Sequence, residues 1–314
     1  MPDPTPLVSI VIPTYNYGRY VTQAIDSALS QTYPHIEVIV LDDGSTDDTK
    51  ARLKPYEGRI SYVYQENRGL SAARNAAIRL SRGDLVAFLD SDDIWLDDKL
   101  ACQVAVLTAN PGVGLVSCAF IEFDDRVGVK RTFVYPHHPD RAALRRELLF
   151  ANVVSGGSGA VVRRALLERA GLFDERLRGA EDWDMWLRLS LLTDFRVLPQ
   201  PLVKVRTGFD SLSSAGNAAK MLENELKVYR KQVALDPVFR RSLVLRSRVL
   251  AFRFNRAAWA HMASGNRGQA LLCLVRSLVR NPFLYLEPGN FKLLVRIATF
   301  GAAYRVYKVF ARSV

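Results

Sequence analysis

Five apolar residues, Leu85-Val86-Ala87-Phe88-Leu89, run straight into three carboxylates, Asp90, Asp92 and Asp93, with only Ser91 among them. An apolar run this short behind a glycine turn predicts a strand buried on both faces, as in parallel sheets covered by helices. The acids then fall just past its carboxyl end, the edge at which open α/β sheets bind ligands. Carboxylates this close repel one another unless a cation sits among them. Mg²⁺ and Mn²⁺ favour carboxylate oxygens, and Mg²⁺ usually shares its shell with phosphates. The bare chemistry points to a metal–diphosphate site at a strand end. Taken alone, the same residues would also suit a solvated acidic turn capping a helix from Ile94 onward.

The flanking chain favours the first reading. Leu7 to Ile12 predicts a strand that ends in the polar loop Pro13-Thr14-Tyr15-Asn16, followed by a helix over about 19–31. Ile36 to Leu41 predicts a second strand, which also runs into acids, Asp42 and Asp43. Ser45, with Asp48 three positions on, fits a capping box for a short helix. Ile60 to Tyr64 is a third strand, and Leu70 to Leu80 a helix carrying Arg74 and Asn75. This βαβαβαβ order implies a doubly wound, mostly parallel sheet. Two strands ending in acids at one sheet edge are far less expected by chance than one. Neither the NTPase phosphate loop nor the dinucleotide glycine motif occurs, so a nucleotide here would be met by acids and a metal.

Further along, a helix is expected over 95–108, a strand over 114–120, a weaker edge strand over 127–135 and a helix over 141–150. Ser155-Gly156-Gly157-Ser158-Gly159 is a small-residue loop. It misses the serine-hydrolase elbow because Ala160 stands where the last glycine belongs, so close approach of a substrate to backbone is the expectation. Glu181-Asp182-Trp183-Asp184-Met185-Trp186 opens a helix. Acids suit a first turn through the helix dipole alone; facing the crevice, one could also act as a general base.

Five stretches now stand in order: Val-Ile-Pro-Thr-Tyr-Asn (11–16), Asp-Asp-Gly-Ser-Thr-Asp (42–47), Asn-Arg-Gly-Leu-Ser-Ala-Ala-Arg-Asn (67–75), Phe-Leu-Asp-Ser-Asp-Asp (88–93) and Glu-Asp-Trp-Asp-Met-Trp (181–186). Together, over roughly residues 7 to 210, they resemble a family 2 glycosyltransferase. The resemblance implies a GT-A fold, Rossmann-like with a mostly parallel central sheet flanked by helices, and an inverting transfer from a nucleotide-sugar donor. It implies that Pro13, Thr14, Tyr15 and Asn16 line the nucleoside pocket and that Asp42 or Asp43 hydrogen-bonds the base. Arg74 would reach the base or diphosphate. Asp90 and Ser91 would lie at the ribose. Asp92, with Asp90, would hold Mn²⁺ or Mg²⁺ in a DXD motif, and Asp182 would be the catalytic base with Glu181 beside it. One departure stands out: many relatives carry a histidine after the base helix where this chain has Thr207. Either the metal keeps more waters or Arg206 covers the diphosphate. His137 and His138 are expected to form a solvated loop.

The net charge is +11, unevenly placed. From Asp236 to Val314 there are 14 Lys and Arg against 2 acids, while the first 235 residues are close to neutral. The expected organisation is a catalytic domain over 1–235 and a basic α-helical extension over 236–314, with helices over 243–263 and 267–280 at spacings similar to one tetratricopeptide repeat. A helix over 217–232 is expected to pack on the catalytic domain. Residues 291–314 mix apolar side chains with Arg305, Lys308 and Arg312, the pattern of an interfacial membrane anchor on an anionic surface. Its cations are interleaved with aliphatic residues rather than stacking aromatics, which argues against nucleic acid. Three scattered cysteines without metal-ligand spacing, no secretory leader and no long apolar span lead to the expectation of a cytoplasmic protein, peripheral at the inner face of the cell membrane.

The functional expectation is a metal-dependent hexosyl- or N-acetylhexosaminyltransferase moving one sugar, from a UDP-sugar in preference, to a glycan or lipid-linked acceptor in bacterial surface polysaccharide synthesis. A sugar nucleotidyltransferase is the alternative enzyme, but its basic triphosphate loop is missing: no cation precedes Arg19 after the first strand. A degenerate binding scaffold would have lost Asp92 or Asp182, and both are present.

Overall fold

The computed structural model describes residues 5–135, 138, 140–154, 156–208, 217–293 and 295. The chain divides into two compact units, Met1–Phe209 and Asp210–Val314.

The first unit alternates strands and helices: β1 Val8–Thr14, α1 Gly18–Leu29, β2 Ile36–Asp42, α2 Thr49–Leu53, β3 Ser61–Tyr64, α3 Leu70–Leu80, β4 Leu85–Phe88, β5 Ile94–Trp95, α4 Lys99–Ala109, β6 Val113–Asp124, β7 Gly128–Phe133, α5 Arg141–Leu148, β8 Val161–Arg163, α6 Arg164–Ala170, α7 Glu181–Leu189 and β9 Asp194–Arg206. All nine strands join one sheet in the order β3-β2-β1-β4-β8-β6-β9-β5, with β7 outside on β6. The first four strands are parallel. Strand β8 runs antiparallel to both β4 and β6, and β6 is parallel to β9.

Burial explains the strands. Every residue of β1 and β4 is buried, which is why their sequences are mostly apolar rather than alternating. Val8, Ile10 and Ile12 share a core with Val21, Ala24, Ile25 and Ala28 of α1 and with Leu100, Val104 and Leu107 of α4. Those helical residues recur at the three- and four-residue spacing that puts them on one face. Helix α3 packs on β1 and β2. The register sets Thr14 beside Asp42 and Val11 beside Phe88, so β1, β2 and β4 end at a common edge.

Three local expectations are corrected. The helix expected from Trp95 begins only at Lys99, because Ile94 and Trp95 pair with Lys204 and Val203 of β9. The 13-residue strand β9 was not foreseen, since Pro199 and Pro201 break its pattern. Register shifts around Ala119 of β6 absorb the prolines. Ser45 caps no helix: its Oγ accepts from the Asn16 amide at 2.9 Å, and α2 starts after Asp48.

The second unit holds α8 Ala218–Leu235, α9 Pro237–Arg241, α10 Leu243–Ala263, α11 Arg267–Arg280 and a 3-10 segment, Pro282–Leu286. The α10–α11 pair has the limits expected from sequence. Phe254, Ala257 and Ala258 face Ala270, Cys273 and Leu274 across it. Helix α8 belongs to this unit, where Glu225 is ion-paired with Arg253 and Arg256 of α10. The boundary therefore lies before α8 and not near residue 235; the change in charge marks only the end of α8. Most of the proposed anchor, including Arg305, Lys308 and Arg312, lies outside the described residues. Among the described residues no helix is long and apolar enough to cross a membrane.

One buried cation tests the core. Lys99 is fully buried; its Nζ donates to Gln103 Oε1 at 2.8 Å and lies 3.9 Å from the Trp95 ring centroid. Burial pulls its pKa down to about 7. The unfolded chain then binds a proton that the folded one lacks between roughly pH 7 and 10.4. Relative to Lys99→Met, the stability of the natural protein should rise through that window by up to about 1.4 kcal/mol per pH unit and level off below it. Urea melts of both proteins from pH 6 to 10 check this; parallel curves would refute it.

Candidate active site

The common edge of β1, β2 and β4 gathers the sequence-predicted residues. Asp42 is buried and accepts from the Ser45 amide at 2.8 Å and the Tyr62 hydroxyl at 2.9 Å. Asp43, also buried, accepts from Gln65 Nε2 at 2.6 Å and from the Arg68 and Gly69 amides at 2.9 and 2.7 Å. It holds the turn that opens α3. With three donors against two, Asp43 has less acceptor capacity left than Asp42. Asn16 has a left-handed φ of 55°, and its Oδ1 accepts from the Thr46 amide at 2.8 Å, clasping the loops after β1 and β2 together. Tyr15 is 46% exposed beside it, while Thr14 Oγ1 is buried without a hydrogen-bond partner.

The three acids after β4 have three different fates. Asp90 accepts from Arg74 Nη2 at 2.6 Å. Asp93 is buried and locked: Ser158 Oγ donates to it at 2.5 Å and the Arg206 amide at 3.0 Å. Burial, with Asp92 and Asp90 nearby, pushes its pKa well up. Among the described residues Asp92 takes a hydrogen bond only from its own backbone N–H. Burial first, and Asp90 second, raise its pKa to about 6. Ser91 is buried in the turn.

Arg206 fixes this turn from behind. Its Nε donates to the Asp92 carbonyl at 2.9 Å, its Nη2 to Gln23 at 2.8 Å, and its Nη1 pairs with Asp125. The guanidinium lies 4.7 and 4.6 Å from the Tyr20 and Phe123 ring centroids. The Arg206 guanidinium is engaged by these partners. Thr207 Oγ1 accepts from Lys130 Nζ at 3.0 Å.

The base helix reaches the edge through one residue. Arg74 of α3 is buried, its Nη1 donating to Glu181 at 3.0 Å while its Nη2 holds Asp90. Burial works against its charge, but Asp90, Glu181 and Asp182 outweigh that and raise its pKa. Arg74 is therefore a buried tie between β4 and α7, not an exposed arm for base or diphosphate. Asp182 follows Glu181; its Oδ1 accepts from the Trp183 amide at 2.6 Å and its Oδ2 from Asn152 Nδ2 at 2.8 Å. Burial, then Glu181, raise its pKa to about 6 against the pull of Arg74.

The loop over 156–159 is corrected too. Ser158 is buried, with its Oγ donating to Asp93 and accepting from the Asp90 amide at 3.0 Å, which leaves it no nucleophilic role. A Cβ on Gly157 would stand 2.7 Å from Arg74 Nη2, so this glycine leaves room for Arg74, while one on Gly156 would meet no atom within 4 Å. Ser155 and His137 lie outside the described residues. His138 is not solvated: its Nε2 meets Glu147 Oε2 at 2.6 Å and the ring is 9% exposed.

Sequence reasoning missed Asn152, Tyr17 and the purpose of Ser158. Asn152 sits among ordinary loop residues, and only the fold brings it to Asp182. Tyr17 directly follows the first motif and carries no signal of its own. Its phenol is raised to about 12, chiefly by burial and then by Asp92.

The donor set suits a divalent cation. Asp92 offers hard oxygens held close to Asp90, and Mg²⁺ is ordinarily bound by one or two carboxylates plus substrate phosphates. Among the described residues no three His, Cys, Asp or Glu side chains converge as a complete cage.

A family model, glycosyl transferase family 2, matches residues 9–171. The chain belongs to that family. An uncharacterised glycosyltransferase of Rickettsia prowazekii is 33% identical over 207 residues, 64% of each chain. The chain thus spans just under two thirds of that relative's length. The putative teichuronic acid biosynthesis glycosyltransferase TuaG of Bacillus subtilis is 44% identical over 119 residues, 37% of this chain and 45% of TuaG. Staphylococcus aureus TarS, solved with UDP-GlcNAc, superposes with a TM-score of 0.58 at 19% identity, covering 87% of this chain and 89% of that one. A Pyrobaculum calidifontis mannosyltransferase solved with GDP-Man and Mn²⁺ gives 0.58 at 24% identity, covering 96% and 87%. These likenesses show the GT-A fold for this family 2 glycosyltransferase.

The Arg74 tie has a measurable consequence. Removing one partner of a buried ion pair leaves charges uncompensated. Arg74→Met should destabilise the protein by about 3–5 kcal/mol, read from urea unfolding. A loss below about 1 kcal/mol would mean that the surface arginine figure applies instead.

Proposed function

We propose that the first unit transfers a single sugar from a nucleotide-diphosphate sugar to an acceptor hydroxyl with inversion, dependent on Mn²⁺ or Mg²⁺. The observation that carries this reading is the division of labour at the sheet edge: among the described residues the Asp92 carboxylate is hydrogen-bonded only by its own backbone N–H, and Arg74 ties Asp90 to Glu181, the neighbour of Asp182.

In this reading Asp92, with Asp90, holds the cation. Bound there, a divalent cation offsets the charge that builds on the leaving diphosphate. Pro13, Thr14, Tyr15 and Asn16 line the nucleoside pocket. Asp42, with more acceptor capacity left than Asp43, meets the base, and Asp90 and Ser91 lie at the ribose. Asp182 takes the proton from the acceptor hydroxyl as it attacks the anomeric carbon. Asn152 holds one oxygen of Asp182, and Glu181, paired with Arg74, positions the helix start. One carboxylate suffices for a single displacement; a second, as nucleophile on the donor face, is not identified. A UDP-hexose or UDP-N-acetylhexosamine donor is supported by the TarS likeness. A glycan or lipid-linked acceptor in surface polysaccharide synthesis is supported by TuaG.

Thermal melts with UDP, GDP and dTDP, each with and without Mn²⁺, test the donor side. A nucleotide at about 100 times its dissociation constant adds roughly 2.7 kcal/mol to the folded state. UDP should stabilise the protein only with Mn²⁺, and Asp92→Asn should abolish the effect. If no nucleotide stabilises it, the transfer reading gives way to a binding scaffold.

The base is tested separately. Asp182→Asn should lower kcat by at least about 100-fold while leaving metal-dependent UDP binding intact. Because the base must be ionised, kcat/KM of the natural enzyme should fall tenfold per unit below about pH 6, where the Asp182 carboxyl protonates. An activity flat down to pH 5 would exclude it from that role.

A further inference from the structure

The second unit carries a surface that its own core does not explain. Six large apolar side chains, Val238, Leu243, Val244, Val279, Phe283 and Leu286, are between 72% and 80% exposed. Among the described residues of the first unit only Val127 reaches that range. The elements that carry them are neighbours. Ser247 Oγ donates to the Arg280 carbonyl at 2.9 Å, which sets the start of α10 beside the end of α11. Helix α9 packs on α10, and the 3-10 segment packs on α11. Nor is this surface loose: Tyr285, between Phe283 and Leu286, is buried in the helical core, and Asn290 Nδ2 donates to the Leu284 carbonyl at 3.1 Å. The outer apolar side chains are held outward on an ordered frame, where contiguous exposed apolar surface marks an interaction site.

The charge around them selects the partner. Residues 237–286 contain nine arginines and no aspartate or glutamate; Arg253 is buried, it and Arg256 pair with Glu225 of α8, and the exposed Glu287 follows Leu286. Arg240 and Arg241 are exposed in α9 between Val238 and Leu243. A second copy of the same face would bring these cations against their equivalents, which like-charge repulsion disfavours. Nucleic acid would meet the arginines but leave the aliphatic side chains without a base to stack on. A bilayer with anionic headgroups satisfies both, with phosphates at the arginines and acyl chains beneath for the apolar group.

We infer that this end of the second unit, around Val279, Phe283 and Leu286 with Arg240 and Arg241, docks on an anionic lipid surface. The inference is independent of the glycosyl-transfer reading and of residues 296–314.

Co-sedimentation of the full chain with sucrose-loaded vesicles tests it. The vesicles are phosphatidylcholine alone or with phosphatidylglycerol. The natural protein should bind only the anionic vesicles, and added salt should weaken binding. Val279→Ser/Phe283→Ser/Leu286→Ser and Arg240→Glu/Arg241→Glu should each weaken it at least tenfold, with unchanged circular dichroism and an unchanged melting temperature. Phe283→Trp should add a blue-shifted emission on anionic vesicles. No sedimentation of the natural protein would overturn the proposal, and so would undiminished binding by both multiple variants. A dimer that the serine variant splits without loss of vesicle binding would assign the face to self-association instead.

Discussion

The guanidinium of Arg74 is the interaction on which the site depends. It is buried between Asp90, at the end of β4, and Glu181, at the start of α7. These acids are far apart in sequence and belong to different layers. Without a cation between them, the strand end and the helix start would repel at the place where the fold brings them together. With it, the position of Asp182 relative to Asp92 is set by two short bonds to one rigid planar group. An arginine suits this better than a lysine, because its fork can hold two carboxylates at fixed angles. Gly157 completes the arrangement by leaving room for it.

The same principle separates three neighbouring acids that look equivalent in the sequence. Asp90 is neutralised by Arg74, and Asp93 is sealed by Ser158 and the Arg206 amide. Asp92 is left with its charge opposed by burial and by Asp90. Arg206 opposes the resulting rise in its pKa without cancelling it. The Arg206 guanidinium meets Asp92 at its backbone carbonyl rather than its carboxylate, so it holds the loop without covering the Asp92 carboxylate oxygens.

How much of this could be read beforehand follows from the range of the signals. Strands β1, β2 and β4, and the acids after β2 and β4, were legible because burial on both faces leaves largely apolar runs that stop at the sheet edge. The α10–α11 pair was legible because its small and apolar residues recur at helical spacing around a Gly-Asn turn. Strand β9 was not, because its prolines are tolerated only through irregular pairing with β6, a property of the partner strand. The roles of Arg74, Arg206 and Ser158 were not legible for a similar reason: each is defined by residues about 16 to 114 positions away. A motif identifies which residues matter, while the direction in which each side chain points is decided by packing that no local pattern encodes.

That distinction bears on how a base can be built from a carboxylate. An aspartate in water is too acidic to hold a proton near neutrality. Here Asp182 stands next to Glu181 in the first turn of α7, with burial as the main cause that lifts its pKa and Glu181 the second. Arg74 acts in the opposite sense, and its bond goes to Glu181 rather than to Asp182. Had the guanidinium paired with Asp182 directly, the carboxyl would have been driven down and its oxygens covered. Placing the cation one residue away offsets part of the charge of the two acids while leaving Asp182 raised and, among the described residues, hydrogen-bonded by two neutral donors, the Trp183 amide and Asn152. The adjacent acid takes the direct bond to Arg74, which in the proposed mechanism leaves Asp182 available as the base.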